Sequence, residues 1–338
     1  MSKIEKMPQM FQLASVAIIL LSLAYATHGF AFTKVATSNA ASGLHSGHDQ
    51  LQSTTSLAAS KSTLKQLKRE AWAEGRGMSG GDDSSPALPP CTIVGGGRIG
   101  DLLSGSSPGG KVVGRSDDMT DLPAGPIYVC TRNDALDDVV ERCPEDRRED
   151  LVFLQNGYIE DWLKEKGLGD NTQILLFLAV TAKGADPIDG VTKVNPEGLT
   201  AVTGKWGDDF KTRLNSMNLK CNVLDKPAYD KQMYEKMFWI CTMMLVGAAK
   251  GCETVGDAGR DHADLVGEVV DELAASVEGI EFDAGVKDRL SAYTDVVSNF
   301  PAAVKEFQWR NKVFYDKGCK VHNGLLDECV EKGVFAFP

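Results

Sequence analysis

Gly95, Gly97 and Gly100 stand at the spacing G-x-G-x-x-G, directly after the short apolar run Cys91-Thr92-Ile93-Val94. Each glycine has a separate physical task at that spacing. The first permits a tight strand-to-helix turn, the second lets backbone approach a pyrophosphate, and the third lets the helix pack against the strand. Arg98 and Ile99 lie between the last two, where the first free N–H groups of the helix face phosphate charge. The chemistry implied is dinucleotide binding, with an ordinary glycine-rich loop as the competing reading. Arg115 follows a second short strand, Lys111–Arg115, where it can meet a ribose 2′-phosphate. No acidic residue ends that strand, so NADP is preferred to NAD, although Asp117 or Asp118 could bond a 2′-hydroxyl instead.

Proton chemistry in this chain has few candidates. Only His262 and His322 lie beyond residue 69, and none of the eight cysteines forms a C-x-x-C pair. Zinc sites and histidine-dependent triads are poorly supplied, no metal is expected, and acid–base work falls to Lys, Glu or Asp. Lys236 is set among Met237, Phe238, Trp239 and Ile240, where an ammonium has a lowered pKa and is poised for proton transfer. The competing reading is a helix-surface lysine whose stem lies along apolar neighbours. Glu306, beside Phe307 and near Val304, is again a carboxylate in an apolar context. Its plain alternative is an ion pair with Arg310, four residues on. Asn156 follows the apolar strand Leu151–Leu154, at the carboxyl edge where ligands of parallel sheets bind; it could equally be the turn residue of an Asn-Gly pair. Cys91, Cys130 and Cys241 read as buried thiols, and pairing of Cys319 with Cys329 is left open.

The elements that must position these residues divide near residue 227. Before it, short β-type runs (Cys91–Val94, Lys111–Arg115, Pro126–Cys130, Leu151–Leu154) alternate with helical pieces. One of these, from about Asp134 to Arg142, carries Leu136, Val139 and Val140 on one side. Thr172–Lys183 is strongly β, and Gly190–Val194 and Leu199–Gly204 suggest an antiparallel extension. After residue 227 the period becomes helical over Met233–Ala249, Ala263–Val277, Val286–Phe300 and Ala302–Phe314. This predicts an α/β fold: a shortened Rossmann-type parallel sheet over 91–227, then an all-helical part over 228–338.

The chain begins differently. Lys3 and Lys6 precede an apolar run from about Leu13 that ends in Ala24-Tyr25-Ala26, a signal-peptide pattern over 1–29. Phe30 and Phe32 follow, and 30–69 is rich in Ser, Thr and Ala with Asp49 as its one acid. Together these resemble the bipartite plastid presequence of algae with secondary plastids, which implies the plastid stroma; the secretory pathway is the alternative. Gly, Ser, Asp and Pro make 70–90 a linker. The whole chain carries a net charge of −11; seven basic and two acidic residues lie in 1–69, leaving 29 basic against 45 acidic, or −16. Such a body is a poor electrostatic partner for nucleic acid or anionic membrane. A small-molecule substrate is favoured, and a homodimer stays open.

The order of these pieces resembles the ketopantoate reductase family. Four places carry the resemblance: the Gly95–Gly100 turn, Leu154-Gln155-Asn156-Gly157, Lys236 in Tyr234-Glu235-Lys236-Met237, and Glu306 with Asn311 five residues later. The run Ala179–Gly184 is also similar. The resemblance implies a Rossmann domain followed by a helical domain of the 6-phosphogluconate-dehydrogenase-like kind, and NADPH-dependent reduction of a small 2-keto acid such as 2-dehydropantoate. It implies that Lys236 donates the proton and that Glu306 positions it or the substrate. Gly95, Gly97, Arg98, Ile99, Gly100, Arg115 and Asn156 would contact the cofactor, and Asn156, Ser298 and Asn299 the substrate. The chain departs from the pattern with Ile240 and Met244 where the family usually has asparagines, with Thr131-Arg132-Asn133 where a strand-end lysine is expected, and in the short interval from Arg115 to Pro126. A different dehydrogenase on the same plan, or a non-catalytic nucleotide-binding or assembly protein, would keep the scaffold without this substrate.

Overall fold

Short, fully buried strands form the centre of the sheet: β1 (Thr92–Val94), β3 (Ile127–Val129) and β4 (Leu151–Phe153). Their side chains alternate between two cores, as a pleated strand requires. Val94, Ile127, Val129, Leu151 and Phe153 join one, with Leu136, Val139 and Leu163; Ile93, Tyr128 and Val152 join the other, with Leu103, Phe210 and Leu214. Helices therefore cover both faces: α1 (Arg98–Ser104) and α4 (Gly207–Ser216) on one, α2 (Leu136–Arg142) and α3 (Glu160–Glu165) on the other. With β2 (Lys111–Val113), β5 (Thr172–Leu175), β8 (Ala201–Thr203) and β9 (Asn222–Val223), the seven strands run in the order β2-β1-β3-β4-β5-β8-β9. The first five are mutually parallel, and β8 returns antiparallel to β5. β6 (Leu178–Ala179) and β7 (Ile188–Asp189) form a separate antiparallel pair. This is the computed structural model of the chain, and it describes residues 88–338 except Pro108. The expected signal segment, transit-like segment and most of the 70–90 linker lie outside the described residues.

The helical part is organised around α5 (Lys226–Lys250), which is buried along most of its length. Its start is set by Asp225, whose carboxylate accepts from the Ala228 N–H, with Pro227 in the first turn; Gly251, at φ 75°, ends it. Such caps satisfy the free groups that every helix end leaves. α6 (Val255–Asp261), α7 (Ala263–Ala275), α8 (Val286–Val296), α9 (Lys312–Asp316) and α10 (Lys320–Glu331) follow. Their apolar side chains share one core with α5 and with Leu175, Phe177 and Ala201 from the sheet side.

Several expectations are corrected. No helix spans Ala302–Phe314: the chain there is irregular, with one 3-10 turn at Phe307–Trp309 before α9. Pro301 bridges Thr254, and Glu306 takes a left-handed φ of 50°, which an α-helix cannot accommodate. The predicted strand over Gly190–Val194 is instead loop, the pairing falling at Ile188–Asp189. The short interval between Arg115 and Pro126 holds neither strand nor helix, as its length implied. Among the cysteines, Cys91 and Cys241 are buried and Cys130 half-buried, while Cys319 and Cys329 are separate buried thiols. No helix among the described residues is long and apolar enough to cross a membrane.

Candidate active site

The glycine turn has the geometry its spacing implied. Gly95 sits at φ 101°, and a Cβ there would lie 2.9 Å from the Cys130 carbonyl oxygen. At Gly100 a Cβ would stand 1.9 Å from the Gly95 carbonyl oxygen and 3.2 Å from Ile93, so this helix can approach the strand only with glycine. At Gly97 a Cβ would meet nothing within 4 Å. That open side is the one a pyrophosphate would approach. The chain after β6 leans on the turn: Arg98 Nη1 donates to the Val180 carbonyl at 2.9 Å, and Lys183 Nζ to the Gly96 carbonyl at 3.1 Å.

Arg115 is exposed and makes no hydrogen bond or ion pair among the described residues. The loop carrying it is pinned: Arg142 Nη2 donates to the Gly114 and Asp117 carbonyls at 2.9 and 2.6 Å. Asp117 accepts from the Gly114 N–H at 2.7 Å, and Asp118 accepts from Thr120. Both acids that could have met a 2′-hydroxyl are thus engaged by their own loop, and the Arg115 guanidinium is left unbonded.

Lys236 belongs to the buried length of α5 and is 5 % exposed, which excludes the surface-lysine reading. Its Nζ donates to Asn156 Oδ1 at 2.7 Å and to the Leu176 carbonyl, and lies 4.8 Å from the centre of the Phe177 ring. Burial, with the Arg310 guanidinium adding like-charge repulsion, lowers its pKa to about 7. Asn156 is at the carboxyl end of β4, and the preceding Gln155 ties that end to β3 through the Val129 carbonyl at 2.9 Å. The ammonium is therefore presented by a helix but aimed by two strand ends.

These groups face a cleft of about 930 Å³ at the carboxyl ends of the parallel strands. Ile99 follows β1, Arg132 follows β3, Asn156 follows β4 and Leu176 follows β5; all four line it. β1 connects outward to β2 while β3 connects the other way to β4, so the cleft lies at the switch point where ligands of open parallel sheets bind. Across the cleft come Lys236, Trp239, Ile240, Met244, Asn299 and Glu306. The structure thus gathers Arg98, Ile99, Asn156, Lys236, Asn299 and Glu306 around one space. Ser298 is not on its lining; it packs against Gly256, whose N–H bonds the Ser298 carbonyl at 3.0 Å. Glu306 makes no bond to Lys236; its Oε2 accepts from Arg310 Nη2 at 2.5 Å. Sequence reasoning saw Arg310 only as that partner and missed that it lines the cleft itself; Arg132 was missed likewise.

A backbone contact also joins the two sides. Gly157, at φ 149°, has no room for a Cβ, which would fall 2.4 Å from the Trp309 carbonyl oxygen. That same carbonyl accepts from the Tyr158 N–H at 2.7 Å. Asn156 and Arg310 are the immediate neighbours of this joint.

Among the described residues no group of three or more His, Cys, Asp or Glu is arranged to hold a metal. No protein-family model and no curated sequence matches the chain. Solved structures do. A 2-dehydropantoate 2-reductase from Methylococcus capsulatus superposes with a TM-score of 0.54 at 11% identity, over 73% of this chain and 98% of that one. A PanE/ApbA family ketopantoate reductase from Ralstonia eutropha gives 0.52 at 11% identity, over 72% and 99%. D-mandelate dehydrogenase, solved with NADH and anilino(oxo)acetate, gives 0.52 at 15% identity, over 72% and 98%. The chain has the fold of the ketopantoate reductases, a Rossmann-type sheet followed by a helical part.

Proposed function

We propose that this protein is an NADPH-dependent reductase of a small 2-oxo acid, with Lys236 as proton donor. The observation that carries the reading is the Lys236 ammonium, buried and held by Asn156 and the Leu176 carbonyl, at the floor of a cleft that also takes in the turn residues Arg98 and Ile99. The fit to a dinucleotide rests on the turn itself, closed where Gly95 and Gly100 sit and open at Gly97. The Arg115 side chain, exposed on its pinned loop, supports a 2′-phosphate over a 2′-hydroxyl.

When bound, the nicotinamide supplies a hydride, and with it both electrons that convert a carbonyl to a hydroxyl. The residues of this chain do the rest. Lys236 delivers a proton to the developing alkoxide and stabilises its charge beforehand. Asn156 and the Leu176 carbonyl hold Nζ at one point, so little reorganisation is needed during transfer. Phe177, Trp239 and Tyr293 stack edge to face beneath it (Phe177–Tyr293 4.8 Å, Trp239–Tyr293 4.9 Å between centroids) and exclude water from that side. A lysine with a pKa near 7 gives up its proton more readily than an exposed one and is reprotonated near neutral pH.

The test is to incubate the purified protein with NADPH and a panel of 2-oxo acids and follow nicotinamide absorbance. Oxidation of NADPH that depends on one acid class is expected. Binding of NADPH without oxidation by any acid would favour a non-catalytic nucleotide-binding protein. The plastid stroma is our proposed location, on the composition of residues 1–69 alone.

A further inference from the structure

We infer that Arg310 is the carboxylate anchor of the substrate, positioned by Glu306, and that the substrate is a 2-oxo acid with an apolar tail. The inference deepens the proposed reductase and rests on it for the identity of the reacting carbonyl.

The unused donors of Arg310 come first. A guanidinium has five N–H groups in a planar fork matched to a carboxylate. Among the described residues Arg310 spends one of them, on Glu306, while its Nε is buried without a partner. A buried donor left unpaired is costly, and residues keep one where a ligand completes it. The Glu306 bond fixes one end of the fork, so the remaining donors are presented in one plane rather than swinging freely.

Charge balance agrees. The cleft lining holds Arg98, Arg132, Lys236, Lys305 and Arg310 against one acid, Glu306, in a chain with a net charge of −11. Arg98 and Arg132 belong to the glycine-turn and β3 ends. Lys236, Lys305 and Arg310 form a second cationic group on the helical side, where dinucleotide phosphates are not needed. Glu306 answers one of these three cations, and an anion on the substrate is what balances the excess.

The tail follows from what the other lining residues can bond. Ile240 and Met244 stand one turn apart on α5 and offer no donor or acceptor beyond a thioether. The indole N–H of Trp239 is already given to Thr294 Oγ1 at 2.8 Å, so Trp239 offers only its ring. A hydroxyl set against these three would lose its water without replacement, whereas an alkyl or aryl group would gain by burial.

The experiment is equilibrium binding to the full chain, read by calorimetry, using 4-methyl-2-oxopentanoate, its methyl ester, and a hydroxylated 2-oxo acid of similar size. Arg310→Gln should weaken the free acid about 10- to 100-fold, leave the already weak ester unchanged, and leave NADPH affinity unchanged. Retained NADPH binding shows that the variant is folded. Arg310→Lys, a point charge without the fork, should fall between, and Glu306→Gln should weaken the acid by less than Arg310→Gln. Wild-type protein should prefer the alkyl acid to the hydroxylated one. Equal losses for acid and ester, no loss for either, a preference for the hydroxylated acid, or no acid binding by wild type would each overturn the inference. Arg310-dependent binding without oxidation of NADPH by any acid would overturn the reductase and leave the anchor standing. Turnover with a KM indifferent to Arg310 would do the reverse.

Discussion

Lys236 and Asn156 are 80 residues apart in sequence and 2.7 Å apart in space, the amine donating to the amide oxygen. The bond crosses from the helical part to the carboxyl end of β4, and it sets the direction of the buried lysine of the cleft. Because the amine is buried and faces the Arg310 guanidinium, its charged form is disfavoured. That cost has consequences for rate and for stability.

For rate, the donor must be charged. The kcat/KM for reduction should fall as pH rises through about 7, approaching tenfold per unit above it, because the neutral amine has no proton to give. Lys236→Ala should lower turnover by about 10²- to 10⁴-fold with little change in NADPH affinity. A profile flat from pH 6 to 9, or near-normal turnover in the variant, would remove Lys236 from the chemistry.

For stability, the sign is opposite. The native pKa, about 7, lies below the value of about 10.4 for an unfolded lysine. Between those values the unfolded chain binds more protons, so stability rises with pH across that window and the penalty is full below it. Lys236→Met should therefore stabilise the protein at pH 6, by about 2 kcal/mol after the loss of two hydrogen bonds, or ~4–8 °C in Tm. The advantage should shrink by pH 9 in a thermal melt. A lower Tm at pH 6 would show that the hydrogen bonds outweigh the buried charge.

Gly97→Ala and Gly100→Ala should separate binding from folding. The Cβ at position 97 has free space, so the fold should hold while NADPH affinity drops at least tenfold. The Cβ at position 100 meets backbone at 1.9 Å and must push α1 off β1, at a cost of about 1–3 kcal/mol or more. Calorimetric melts and NADPH titrations of the two variants make the comparison. Tight NADPH binding by Gly97→Ala would place the phosphates elsewhere.

Arg115→Ala should weaken NADPH by about one to two decades, the value of a charge-assisted bond to phosphate, and leave NADH nearly unchanged. Equal losses for both cofactors, or none, would mean that Arg115 does not read the 2′-phosphate.

A reporter fused to residues 1–69 should accumulate in a plastid of secondary origin, and replacing Phe30 and Phe32 should stop it outside. Secretion of the intact fusion into the medium would contradict the proposed routing.

What was legible in the sequence was whatever depends on local backbone. Gly95, Gly97 and Gly100 declare a turn because spacing alone dictates it, and the period changes near residue 227 because buried strands and buried helices space their apolar residues differently. The cap at Asp225, which the apolar run did not reveal, starts α5 seven residues before Met233, where that run had suggested. The segment from Ala302 to Phe314 was misread because its apolar residues answer to the core around α5 rather than to a helix of its own. Arg310 stayed hidden for a similar reason. Four-residue spacing shows an ion pair, but the space on the far side of a guanidinium belongs to Ile240 and Lys236, dozens of residues away.

The joint at Gly157 and Trp309 ties these observations together. Asn156, which aims the amine, and Arg310, which offers the fork, sit one residue to either side of it. Parting these two strips would break the bond from Tyr158 to Trp309, so this one backbone joint fixes how Asn156 and Arg310 stand to each other. The nucleotide side is held differently, by side-chain bonds alone, Arg98 Nη1 donating to the Val180 carbonyl and Lys183 Nζ to the Gly96 carbonyl.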